Sequence, residues 1–330
     1  MSQATATTCK NCLGSIEDLR SKATCQTCGG IMHKDCPIKE DGKNYCDTCY
    51  TIKKEEGESI DFTVPDVISR SYIDTYSYCP YKFYMEYIKG IESEHTIYTR
   101  LGVDVHNLVD RACQDSHFGK EEMLKEFHEL WQGYEEKLFE DDEQREKMYQ
   151  RGINSIDNAC SLIAEMPEPL STEENIIFSV GEGLPKVSTT SDRIDKVNGE
   201  LEISDWKTGA VMVGQKLSSD WQAPLYIYGV RQKYELPIRK FTFYYLQDGK
   251  ERTFERTSNE DYVCTVRKRE YFINLTDVIR KVQSLFSRIL KGEFNVPYSS
   301  KNMYFNCKMC HLRQKEICQG VELEGWKQPK

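Results

Sequence analysis

The chain has 330 residues, 39% hydrophobic and 29% charged, with 14 Cys and a formal net charge of −9, enough for one large domain or two modest ones around a real core. No apolar run approaches the roughly 18 residues of a membrane span, and the opening MSQATATTCK lacks a basic-then-apolar signal segment, which predicts a soluble intracellular protein, cytoplasmic or, in a eukaryote, nuclear. The charge is uneven, with 20 Lys/Arg against 12 Asp/Glu in residues 231–330 and 24 against 41 before them, so overall acidity does not exclude a local basic face for nucleic acid.

Seven Cys fall before residue 50, in a stretch with only isolated apolar residues that cannot build its own core. In a reducing compartment such cysteines point to metal ligation rather than disulfides. The sequence predicts a zinc-binding module over 1–52, a charged linker over 53–64 and a globular domain over 65–330. Within that domain, Ser71 to Asp74 has capping-box spacing and opens an aromatic helix broken at Pro80. A second helix is expected through LGVDVHNLVDRACQ, and two more between Lys120 and Met166, the first largely solvated. Strands are expected at ENIIFSV, KVSTTSDRIDKV and ELEISDW, then a helix near WQAPLYIYGVRQ, then strands KFTFYYLQ and ERTFERT. One long amphipathic helix is expected to close the domain within residues 261–292. Helices around a short mixed sheet give an α/β or α+β class.

The N-terminal ligands are Cys9, Cys12, Cys25, Cys28, His33, Cys36, Cys46 and Cys49, in four close pairs. Eight Cys or His ligands match two closed tetrahedral Zn²⁺ sites. Their order resembles the RING and PHD class of treble-clef fingers over about residues 7–50. The resemblance implies interleaved sites, with Cys9, Cys12, His33 and Cys36 on one zinc and Cys25, Cys28, Cys46 and Cys49 on the other. Sequential pairing is the alternative. Metal would supply most of the folding free energy of so small a module, and a docking or DNA-contact role is expected of it.

The segment VSTTSDRIDKVNGELEISDWKTG carries the chemistry. Asn198-Gly199 is the preferred dipeptide of a two-residue type I′ hairpin turn. With that turn, Ile194 faces Ile203 and Asp192 faces Asp205, and Leu201, Ile203, Asp205 and Lys207 share a face. Opposed carboxylates repel, which invites a hard divalent cation between them. Asp195 and Glu202, on the opposite face, read as a solvated pair.

The Asp, thirteen residues, Asp-x-Lys pattern resembles the active-site hairpin of PD-(D/E)XK nucleases of the RecB/AddB type, similar to the nucleases of CRISPR adaptation. Thr189 stands where those enzymes usually have Gly, and Trp206 where they have Tyr. The resemblance implies a restriction-endonuclease-like core and further site residues: His106 as a helical metal ligand, and Gln222 and Tyr226 as the Q-xxx-Y helix, with Pro224 requiring the first turn or a kink there. It further implies that His106, Asp192, Asp205 and the Trp206 carbonyl hold Mg²⁺ or Mn²⁺, that Lys207 orients water or stabilises charge, and that Gln222 and Tyr226 position the strand.

Cys307, Cys310 and Cys318 leave a four-ligand site short by one. The same resemblance supplies Cys79, in a Cys-Pro preceding a helix, and implies a [4Fe-4S] cluster joining the domain ends. Zinc is the competing metal and His311 the competing ligand. The expected function is a metal-dependent DNA exonuclease acting on single strands or DNA ends in repair, recombination or DNA processing. Arg252, Arg256, Arg267, Lys268 and Arg269 are available to the strand, and a helicase or other partner to the finger. An adaptor whose nuclease fold serves assembly is the alternative.

Overall fold

The computed structural model describes residues 7–8, 15–16, 22–26, 31–34, 36–40, 42–45, 62–92, 96–294, 307 and 310–318. The chain forms two compact units, one of Val67–Arg70 and Glu94–Arg280, the other of Met1–Asp66, Ser71–Ser93 and Lys281–Lys330.

In the latter unit, β1 (Thr7–Thr8) pairs with β2 (Ser15–Ile16), β3 (Lys22–Thr24) with β4 (Ile31–His33) and β5 (Ile38–Glu40) with β6 (Lys43–Tyr45), all antiparallel. The aromatic stretch forms α1 (Arg70–Tyr78) and α2 (Pro80–Phe83), followed by a π-helical turn, Tyr84–Ile88. The break falls where Pro80 predicts it. Cys79 is extended and caps α2, its Sγ accepting from the Lys82 N–H at 3.4 Å, while Pro80 takes the first helical position, where a missing N–H costs nothing. Tyr76, Phe83 and Phe294 pack as neighbours, with centroids 5.4 Å apart for Tyr76–Phe83 and 5.9 Å for Phe83–Phe294.

The other unit holds β7 (Val67–Ser69), then three helices: α3 (Ile97–Gln114), α4 (Lys120–Gln132) and α5 (Asp142–Glu165). Strands β8 (Ser171–Phe178), β9 (Lys186–Val197) and β10 (Glu200–Lys207) follow, then α6 (Lys216–Ser219) and α7 (Gln222–Tyr234). Strands β11 (Ile238–Tyr245), β12 (Lys250–Arg256), β13 (Asp261–Val266) and β14 (Arg269–Asn274) complete one eight-stranded sheet. Its order is β14-β13-β12-β11-β10-β9-β7, with β8 on the other edge of β9. The β10–β11 and β7–β9 pairs are parallel and the rest antiparallel, so the sheet is mixed and the class is α/β, as expected.

The β9–β10 hairpin has the predicted register, Val197 opposite Glu200 and Ile194 opposite Ile203. Asn198 and Gly199 both have positive φ, 52° and 84°, as a type I′ turn requires. Two expectations fail. Residues 261–292 do not form one helix: β13 and β14 make a hairpin before helix α8 (Leu275–Leu290). The alternation that buries Tyr262, Cys264 and Ile273 has the strand period, and only residues 275–289 bury Leu275, Ile279, Val282, Phe286 and Ile289 at helical spacing.

The second concerns the face expected to be solvated. Asp195 is 4% exposed, and Arg193, at 1%, grips both its oxygens through Nε, at 2.9 and 3.1 Å. Glu202 pairs instead with Arg239 and with Lys240 Nζ at 3.0 Å. The reason is topological. Because β10 pairs parallel with β11, the connection must cross over, and a parallel pair is covered on both faces. Trp206 therefore packs into the core of α3, α4 and α5, while α7 lies over β8, β9 and β11.

Candidate active site

The hairpin ladder stops short of the two aspartates. Its last pair is Ser204 and Arg193, and β9 next pairs on that edge with β7, from Ser188 back to Lys186. Between those partners the strand edge is open, and side chains take the backbone's place: the Trp206 N–H donates to Asp192 Oδ2 at 2.6 Å. A buried N–H must find an acceptor, so this bond anchors Asp192 where the strands part.

Helix α3 begins with a capping box at Thr96 and Thr99 and buries Ile97, Leu101, Val105 and Leu108 in the core it shares with α4, α5 and Trp206. That places His106 at the open ladder, its Nδ1 3.7 Å from Asp192 Oδ2. Burial lowers the His106 pKa, favouring the neutral ring that a metal requires, against an opposite pull from Asp205 and the Trp206 backbone. Asp192 is 7% exposed, and burial, then the nearby Asp205 charge, raises its carboxyl well above the ordinary value.

Helix α7 starts at Gln222, which puts Pro224 in the first turn, where a proline is tolerated. The Gln222 amide then spans the site. Its Nε2 donates to Asp205 Oδ1 and, at 3.1 Å, to Tyr226 Oη, while its Oε1 accepts from Lys207 Nζ at 2.6 Å. Lys207 Nζ also lies 2.6 Å from Asp205 Oδ2, without the angle of a hydrogen bond. Burial of Tyr226, with Asp205 nearby, raises its phenol and keeps it protonated.

The structure thus brings His106, Asp192, Asp205, Trp206, Lys207, Gln222 and Tyr226 to one place. One neighbour was not predicted: Glu173, on β8. Ligand atoms of His106, Glu173 and Asp192 lie within 4.8 Å of one another. No signal in the sequence marks Glu173, because β8 reaches β9 through a loop whose length sets no register. An imidazole and carboxylates are the donor set of a hard divalent cation, and a buried Asp205 Oδ2 without a hydrogen bond fits a site that takes one. His106, Asp192 and Asp205 are the sequence-predicted residues able to hold it.

The basic residues expected to meet the strand divide. Arg256 pairs with Glu200, and Arg252 donates to the Met212 and Glu251 carbonyls at 3.2 and 2.6 Å, so both are engaged within the protein. Arg267 and Lys268, both with positive φ, form the β13–β14 turn, and Arg269 begins β14.

In the other unit, Cys79 and Cys307 are buried and Cys310 and Cys318 half-buried. Burial pushes the Cys79 thiol up to about 12, with Cys307 and Cys310 acting in the same direction, and Cys318 acts likewise on the Tyr81 phenol after burial. Among the described residues, however, no three of these four sulfurs lie within 4.8 Å of one another, so the geometry does not itself assemble the Cys₄ set that the sequence resemblance implies. His311, the competing ligand, has its Nε2 3.4 Å from Glu86 Oε1. Of the zinc ligands, Cys9, Cys12, Cys28, Cys46, Cys49 and the His33 side chain lie outside the described residues. Cys25 is buried with Met32, and Ile31 and Cys36 pack against them.

No curated protein matches the chain. A solved structure, that of SSO0001, matches at 18% identity over 69% of this chain and 87% of that one, with a TM-score of 0.29. The family model of the PD-(D/E)XK nuclease superfamily matches residues 67–319, a span that includes every residue of the site and the mixed sheet beneath it. The central sheet flanked by helices is that of a restriction-endonuclease-like fold, and the chain belongs to the PD-(D/E)XK nuclease superfamily.

Proposed function

We propose that the protein is a Mg²⁺- or Mn²⁺-dependent deoxyribonuclease, an exonuclease acting on single-stranded DNA or DNA ends in repair, recombination or DNA processing. The observation that carries this is Lys207 Nζ, set between Asp205 Oδ2 and Gln222 Oε1 at 2.6 Å from each. A cation on a rigid strand, next to carboxylates and an amide, suits hydrolysis of a phosphodiester: water attacks phosphorus, the P–O bond to the leaving nucleotide breaks, and the leaving oxygen takes a proton.

His106, Asp192 and Asp205, with the Trp206 carbonyl, would hold the divalent ion. When bound, it offsets charge on the phosphoryl group and makes water more acidic. Lys207 holds or orients the attacking water and stabilises developing negative charge. Gln222 holds Lys207 and Asp205 at their spacing, and Tyr226 fixes the Gln222 amide through its phenol oxygen. In the other unit Cys79, Cys307, Cys310 and Cys318 would carry a [4Fe-4S] cluster, and the N-terminal cysteines with His33 two zinc ions in a module that docks DNA or a partner such as a helicase.

End-labelled single-stranded, duplex and flapped DNA, incubated with Mg²⁺ or Mn²⁺, tests the reading and reports polarity. Cleavage is expected from a free end, with Asp205→Asn inactive although folded. Cleavage by Asp205→Asn at the wild-type rate would overturn it.

A further inference from the structure

Glu173 is set apart by its backbone. Among the described residues six non-glycine positions have positive φ. Asn198, Arg267 and Lys268 lie in hairpin turns, Glu235 caps α7 and Glu316 follows the short helix α9 (His311–Gln314). Glu173, with φ 45°, lies inside a strand. Left-handed backbone is uncommon for a residue that is neither Gly nor Asn, and within a strand it interrupts the ladder. The β8–β9 pairing shows that interruption. Thr172 lies opposite Arg193 and Glu174 opposite Ser191, so the register sets Glu173 opposite Asp192, yet that pair is missing.

The kink has a chemical result. It carries the Glu173 carboxylate to the His106 ring nitrogen and the Asp192 carboxylate, all within 4.8 Å, at the place where β9 has left β10. Glu173 is exposed, and among the described residues none gives it a hydrogen bond or an ion pair, so its carboxylate is available beside the buried Asp192 and the His106 ring. Asp205, 1% exposed with an oxygen lacking a hydrogen bond, adds its charge nearby. Asp205 itself is held by Gln222 and Lys207 and stands outside the 4.8 Å group. Strain of this kind persists only where surrounding structure imposes it, and it gathers at functional sites.

We propose that Glu173 is a metal-holding residue of this site, its carboxylate delivered by the left-handed kink in β8 to share a divalent cation with His106 and Asp192. This rests on the reading of the site as a metal-dependent nuclease centre. It adds a carboxylate from β8 to the ligand set carried by α3 and the β9–β10 hairpin, and so raises the negative charge count on which affinity for a hard cation depends.

The test is Mn²⁺ binding to the full-length protein, read by the loss of the free-ion EPR signal, so that no nucleic acid or turnover is involved. Glu173→Gln is expected to weaken Mn²⁺ binding about tenfold or more, and Asp192→Asn at least as much. Glu173→Asn, which tolerates left-handed backbone, is expected to weaken Mn²⁺ equally while leaving the thermal midpoint of the metal-free protein no lower than wild type. Wild-type affinity in Glu173→Gln, with affinity lost in Asp192→Asn, overturns the role of Glu173 and leaves the nuclease reading standing. Wild-type affinity in both overturns the metal site altogether. A lowered midpoint in Glu173→Asn with unchanged affinity would assign Glu173 a structural role instead.

Discussion

Lys207 sits at the last position of β10, its side chain half-buried and backed by the Phe243 ring, whose centroid is 5.3 Å from Nζ. Its neighbour Asp205 is 1% exposed, and such a carboxylate is tolerable only with partners. Those partners are Lys207 and the Gln222 amide, so the cation that supports folding here is the one to which the proposed reaction assigns the chemistry. Replacing Lys207 with Ala is expected to lower the cleavage rate by about 10²–10³-fold, the usual effect of removing one charge-stabilising group. It should also destabilise the metal-free protein by about 1–3 kcal/mol, because a buried oxygen loses its counter-charge. A second cation bound between the carboxylates would offset that loss, so the urea midpoint of the variant should rise with added Mg²⁺ more than that of wild type. An equal rise in both would mean that Asp205 is satisfied without Lys207.

At the scale of elements, the site depends on helices approaching the sheet and one another closely. Gly152, in the middle of α5, is an example: a Cβ there would collide with the Phe127 ring of α4. Phe127 is fully buried and stacks at 5.7 Å on Tyr149, so it has no room to retreat. Gly152→Ala is therefore expected to cost about 1–3 kcal/mol by overpacking, despite the better helix propensity of Ala, with the urea midpoint as the measurement. A neutral or raised midpoint would show that α4 and α5 part freely. On the other face Gly229 of α7 does the same for Phe178 of β8, whose ring carbons would lie 2.6 Å from a Cβ at that position. Close seating of α7 is what lets the short amide of Gln222 reach across to Asp205 and Lys207.

Over the whole molecule, residues 94–280 leave one unit between Ser93 and Lys281 and form most of the other. The four cysteines Cys79, Cys307, Cys310 and Cys318 come from the two chain segments that flank this excursion, within a single unit. A cluster there would close a loop of more than 200 residues, and closure of a long loop removes unfolded-state entropy. Cys307→Ser is expected to lose the iron and visible absorbance of anaerobically purified protein and to lower its thermal midpoint. Zinc without iron in the wild-type protein would decide for the competing metal.

The sequence by itself determined the elements and the chemistry that is local. Asn198-Gly199 dictates a type I′ turn, and that turn dictates the register pairing Ile194 with Ile203, so the approach of Asp192 to Asp205 and Lys207 was legible from spacing, while their reading as a nuclease site came from the family resemblance. Cys79-Pro80 marked its helix break, and the i, i+4 spacing of Gln222 and Tyr226 their common face. What escaped was set by distant partners. The burial of Asp195 and Arg193 follows from a parallel crossover that no local period reveals, and the hairpin within 261–274 was hidden by the amphipathic helix that follows it. Only the tertiary structure decided where the β9–β10 ladder opens, because that depends on β7, more than 100 residues away in sequence, claiming the same strand edge. It also decided that Glu173 enters the site, because a left-handed residue inside a strand obeys no local propensity and exists only where the surrounding sheet holds it.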